Sequence, residues 1–182
     1  MKKRLIIPIG LVALLTVGFL GLNSNTFSKP NDIPVVESHA SWVKYYPDIK
    51  SLVEGADVIV EGEAQAINTF ARHDEADIAT YVTFKVVKWY KGSDIKTREQ
   101  ITVVQDGGIY KGVNHKLDKV EIMEPGKKYL LFLRYAPEVD RYVVLTGWQG
   151  QFKLGLIKAE NPEAKRSVDK DELYKEVAKF KN

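Results

Sequence analysis

The chain has 182 residues, 27 Lys or Arg against 24 Asp or Glu, and no cysteine. Its formal charge of +3 belongs to the first four residues: Lys2, Lys3 and Arg4 precede an uncharged apolar run, leaving 24 basic against 24 acidic side chains beyond it. A neutral body releases few counterions on meeting phosphates, which argues against nucleic acid as a partner. The lack of cysteine excludes a disulfide framework, thiolate metal sites and lipid attachment through an N-terminal cysteine.

Residues 1–22 combine three positive charges with the apolar run Leu5 to Leu22. At about 1.5 Å rise per residue the run approaches the thickness of a bilayer core, so it serves as a membrane anchor or as a cleaved secretory signal. Pro8 and Gly10 interrupt it, and Asn23 to Phe27 lacks a small-x-small cleavage pattern. The charges ahead of the run place the N-terminus in the cytoplasm and the rest of the chain outside, tethered to the membrane or secreted.

Residues 23–40, with Pro30 and Pro34 among polar side chains, are too poor in apolar residues to pack and read as a flexible linker. Residues 41–182 form one domain of modal size. Within it, Tyr45 to Ala56 reads as a short helix, with Pro47 in its first turn, Ile49, Leu52 and Val53 on one face, and Gly55 as its stop.

The period then changes to two. Asp57 to Ile67 alternates as a half-buried strand running into a polar loop, Asn68 to Ile78. Thr80 to Tyr90 is a second strand, turned by Lys91 to Asp94, and Gln100 to Gln105 is a third, ended by Asp106-Gly107-Gly108. A long loop carries His115 and Asp118 to a turn at Pro125-Gly126. Lys128 to Arg134 is too continuously apolar for an edge and reads as the central strand, Arg141 to Thr146 pairs back on it, and Gln151 to Lys158 is a sixth strand. Residues 167–181 close the chain as a helix capped by Asp169 and Glu172, with Leu173, Val177 and Phe180 on its apolar stripe. Helices that flank a run of strands without alternating with them exclude a doubly wound sheet. The expected fold is mainly β, a small closed antiparallel barrel of five or six strands with a short N-terminal and a C-terminal helix.

The order Ala56-Asp57-Val58-Ile59-Val60-Glu61-Gly62, then Val82 to Gly92 with its Trp89-Tyr90-Lys91-Gly92 ending, then Ile101-Thr102-Val103, then Pro125-Gly126-Lys127-Lys128-Tyr129-Leu130-Leu131-Phe132, resembles the netrin-like module of tissue inhibitors of metalloproteinases. The resemblance covers roughly residues 56 to 150. It implies an OB-type Greek-key barrel with a ligand face near its second and third strands. The inhibitory device of that family, an N-terminal cysteine that chelates the target's zinc, has no counterpart here.

Three places carry candidate chemistry. Arg72, His73, Asp74, Glu75 and Asp77 crowd oxygen and imidazole groups into the first long loop, at spacings that match neither the D-x-D-x-D-G calcium loop nor H-E-x-x-H, so a solvated contact loop is expected. Gln105, Gly107 and Gly108, with His115 in the following loop, could expose backbone N–H groups to an anion or place a base near Asp118. Among the aromatic residues Trp42, Tyr45, Tyr46, Trp89, Tyr90, Tyr110 and Trp148, Trp148 stands on a Gly147 to Gly150 turn and is the expected exposed anchor. Two S-x-x-K matches, Ser41 to Lys44 and Ser93 to Lys96, lack the companion elements of acylating enzymes. No metal or other cofactor is called for. The sequence points to a non-catalytic extracytoplasmic binding module for a protein partner or another envelope ligand. The alternatives are an envelope hydrolase using His73 or His115 with a nearby carboxylate, and a structural accessory subunit of a membrane complex.

Overall fold

The computed structural model describes residues 33–74, 77–92, 98–162 and 166–179, and within 166–167 the backbone alone. The expected anchor or signal, most of the linker, the turn at 93–94, Glu75 and the helix end at Phe180 and Lys181 lie outside these residues. No helix among the described residues is long and apolar enough to cross a membrane.

The elements run β1 (Val35–Ser38), α1 (Ile49–Gly55), β2 (Val58–Ala71), β3 (Ile78–Lys91), β4 (Gln100–Asp106), β5 (Gly108–Tyr110) and β6 (Val113–Leu117), followed by β7 (Lys128–Ala136), β8 (Arg141–Val144), β9 (Gln151–Leu154), β10 (Lys158–Asn161), β11 (Arg166–Asp169) and α2 (Lys170–Lys179). Strands β2, β3, β4, β8 and β7 hydrogen-bond in that order, and β7 returns to β2, closing a five-stranded barrel. Four of the five junctions are antiparallel. The fifth, where Val103 and Val104 of β4 meet Tyr142 and Val143 of β8, is parallel, a departure from the all-antiparallel expectation. The expected sixth strand divides into β9 and β10, which with β11 extend the sheet from the far side of β7.

The unbroken apolar run in β7 is explained by two cores on opposite faces. Tyr129, Leu131 and Leu133 point into the barrel with Val58, Val60, Val82, Phe84 and Val103. Leu130 and Phe132 point outward, where α1 and α2 cover them with Leu52, Val53, Leu173 and Val177. Full burial of each such side chain stabilises by about 1.5 to 3 kcal/mol, so this strand anchors both layers. Met123, from the loop before β7, joins the barrel core.

Local signals set the ends of the helices. Asp48 caps α1, accepting from the Ser51 N–H at 2.7 Å while Ser51 returns the bond. Pro47 therefore precedes the cap, outside the first turn where the sequence places it. Asp169 caps α2 through the N–H groups of Asp171 and Glu172.

Two stretches read as irregular in sequence are ordered strands. β1, within the expected linker, pairs in parallel with β6. The long loop after Gly108 contains the hairpin β5–β6, turned by Lys111 and Gly112, both at positive φ. Together they make a three-stranded sheet, β1-β6-β5. The expected loop Asn68 to Ile78 is also shorter, because β2 continues to Ala71 and β3 begins at Ile78.

Candidate functional site

The long hairpin β2–β3 projects past the barrel, and its tip is tied to the end of β4 by Arg72. The Arg72 guanidinium donates to Asp77 through Nε at 2.8 Å and to Asp106 through an Nη at 2.7 Å. Partial burial disfavours its charge, but the bonds to the two carboxylates outweigh that and raise its pKa. Asp74 accepts the Asp77 N–H at 3.1 Å, a further bond across the tip. His73 is 87% exposed, with Nε2 3.9 Å from Asp77 Oδ2. Arg72, Asp74 and Asp77 thus brace a hairpin, and His73 stands beside them in solvent.

At the end of β4 the chain kinks through Gly107 (φ +91°) and Gly108 (φ +123°). Both conformations and the space favour glycine: a Cβ on Gly107 would land on the His115 carbonyl, and one on Gly108 on the Thr80 hydroxyl. The Gly107 N–H donates to Ile78 O at 2.8 Å and its carbonyl accepts the Thr80 hydroxyl at 2.7 Å. The glycine pair therefore does not offer the expected N–H nest through Gly107. It aims β5 back across the barrel mouth toward Thr69 and Thr80.

Gln105 is buried. Its Nε2 donates to Glu121 O and to Gln151 Oε1, and its Oε1 accepts the Met123 N–H at 2.8 Å. It clamps the segment that carries Met123 into the barrel and is a fold residue. Trp148, expected as an exposed anchor, is 3% exposed, with Lys119 Nζ 5.4 Å from its ring centre. The reason is a long-range clasp in which Gln149 accepts the Tyr46 N–H and donates to the Tyr46 carbonyl, both at 2.9 Å, pulling the Trp148 turn against the body.

What the kink and the hairpins leave between them is a cleft of about 670 Å³. One wall is the outer half of β2 at Ile67, Asn68 and Thr69, another is Gly108 and Ile109 of β5 with His115 and Lys116 of β6, and the third is the segment Val120 to Pro125. A smaller hollow of about 210 Å³ lies alongside, lined by Arg72, Asp77, Asp106, Gly107 and His115. The structure thus gathers two of the three sequence candidates, the 72–77 tip and the Gly107-Gly108-His115 kink, at one end of the barrel. It separates Trp148 from them. His115 and Asp118 line neighbouring hollows, and among the described residues no hydrogen bond or ion pair joins them as the expected pair.

Residues absent from the sequence-based set are Ile67, at 40% exposure, Ile109, at 55%, and the 120–125 wall. A Lys-Gly turn between Tyr110 and Val113 was the available signal for the hairpin that carries Ile109. On the outer side of the barrel, Phe70 and Tyr81 pack at 5.5 Å between ring centres, and Arg141 lies 4.5 Å over the Tyr81 ring. Among the described residues, no group of three or more His, Cys, Asp or Glu could hold a metal ion.

No known family model matches this chain, and no curated protein resembles it at a significant level.

Proposed function

We propose that this protein is an extracytoplasmic binding module of the cell envelope, held at the membrane by residues 5–22 or released from it, which recognises a protein partner without catalysis. Its barrel is of the OB type and netrin-like: the ring β2-β3-β4-β8-β7, closed by one parallel junction, supports this reading of the topology. The observation that carries the binding function is the cleft beside β2, where exposed Ile67 and Ile109 stand across from each other among amide, hydroxyl and charged groups. Apolar side chains kept exposed in a concavity fit recognition better than stability.

The geometry gives the hydrolase alternative little support. Asp77, the carboxylate that lies 3.9 Å from the His73 imidazole, is engaged by Arg72, and Asp106, which shares a hollow with His115, is engaged by the same arginine.

The test is capture of envelope proteins by the full chain in detergent, compared with the double variant Ile67→Asp/Ile109→Asp and with His73→Ala/His115→Ala. The expected result is that the first variant keeps its melting temperature and loses the partner, while the second keeps both. Retention of the partner by the folded Asp variant would remove the cleft from the function.

A further inference from the structure

We propose that the outer half of β2, Gln65–Ala71, is a docking edge for an extended peptide segment of the partner, which adds to the sheet as a strand and places side chains in the adjoining cleft. This rests on the cleft being the binding site and names what enters it.

The edge is open because β7 leaves early. β7 pairs with β2 only from Val58 to Glu63, and the last bonds on that side join Ala64 to Lys127 and Gly126. Beyond Ala64, β2 pairs with β3 alone among the described residues. Among the described residues β5 is likewise an edge, paired with β6 alone.

The direction of the unpaired groups follows from printed bonds on neighbouring strands. On β3 the Val86 N–H donates to Glu99 and the Ile78 carbonyl accepts from Gly107, both on the β4 side. The β3–β4 register is regular, so alternation turns the N–H and C=O of Val82 and Thr80 toward β4 as well, away from β2. Their β2 partners, Ile67 and Thr69, therefore form the wide pairs, and their own N–H and C=O point to the open edge. The same reasoning applies across the cleft. Asn114 donates its N–H to Pro34 O, just ahead of β1 and on the β1 side of β6, which makes Ile109–Asn114 a wide pair and turns the Ile109 backbone groups away from β6.

Composition supplies a second, independent observation. Exposed edges are ordinarily guarded by lysine, proline or inward charges. The stretch Gln-Ala-Ile-Asn-Thr-Phe-Ala contains none of these, and its register shift lies at its start, between Ala64 and Ala66, leaving Ile67 to Ala71 without a bulge; Gly-Ile-Tyr of β5 also contains none, though at three residues its edge is short. An unguarded edge beside a cleft is the arrangement that strand addition uses: main-chain bonds supply affinity, and pockets for alternate side chains supply selection. At about 3.3 Å per residue the open edge takes a segment of up to about six residues. Ile67 and Ile109 favour aliphatic side chains at alternate positions of that segment.

The experiment uses a phage-displayed library of linear heptapeptides selected on the full chain in detergent micelles, followed by synthetic copies of the selected peptide N-methylated at odd or at even positions. Strand addition makes one methylation pattern weaken binding at least tenfold and the other little. It also slows amide exchange at Ile67 and Thr69 in the complex, and selected sequences carry aliphatic residues at alternate positions. The proposal is overturned if no peptide is selected, if both methylation patterns leave affinity unchanged, or if protection appears instead over Tyr81 and Arg141. Loss of the natural partner in Ile67→Asp/Ile109→Asp combined with indifference to methylation would retain the cleft and reject strand addition. Indifference in both would reject the two together.

Discussion

Substituting Gln105 by Ala separates a fold residue from a binding residue at the position where sequence reasoning placed a site. The carboxamide holds three partners, two of them, the Met123 N–H and Gln151 Oε1, through buried bonds. Glu121 O keeps a second donor, Gln151 Nε2 at 3.1 Å, but the Met123 N–H and Gln151 Oε1 lose the partner that Gln105 supplies. Each orphaned buried group costs about 1 to 3 kcal/mol, so a loss of about 3 kcal/mol is expected. For a domain of this size that lowers Tm by roughly 6 to 12 °C. Urea unfolding followed by tryptophan fluorescence, with the m-value compared between variant and parent, measures the loss. A loss under about 1 kcal/mol would refute the clamp, as would lost partner binding at unchanged stability.

Gly108→Ala should cost well over 2 kcal/mol, since it adds a clash with Thr80 to backbone strain, whereas Gly112→Ala, at positive φ in open space, should cost only about 1 kcal/mol; thermal melts rank the two. Tyr142→Phe should leave stability unchanged or raise it by about 1 kcal/mol, because the buried hydroxyl has no hydrogen-bond partner and the ring keeps its packing against Tyr135; a loss above 1 kcal/mol would contradict this. The Asp140 carboxyl is held below its usual range by the Arg98 guanidinium and the Tyr135 hydroxyl, and that of Glu124 by Lys153. A depressed native pKa means the folded state binds fewer protons than the unfolded chain. Their contribution is therefore present above the ordinary carboxyl pKa of about 4 and fades as pH falls through the depressed values, so Asp140→Asn should lower stability near neutrality and flatten the remaining fall below about pH 4.

The barrel strands were legible where one face is buried. Val82 and Phe84 of β3 and the doubly buried run in β7 show their periods plainly because two cores read them. The outer half of β2 was not, since Gln65 to Asn68 are exposed on both faces and alternation carries no signal there. β1 was hidden for the same reason: all four of its residues are exposed, and it is a strand only because β6 lies beside it. The Gly107-Gly108 kink was legible as positive φ, though its purpose, turning β5 over Thr80, depends on contacts distant in sequence. Trp148 was misplaced because the Tyr46–Gln149 clasp that buries it spans 103 residues, beyond any local pattern. The cleft was half visible, through Gly108 and His115, while Ile67 and Ile109 looked like ordinary strand residues.

Photo-crosslinking from position 109 in intact cells tests the recognition role of the cleft most directly. A benzophenone side chain in place of Ile109 should give one discrete protein adduct, and the same group at exposed Val87, distant from the cleft walls, should give none. Equal labelling from both positions, or none from position 109 while the chain remains folded, would contradict it.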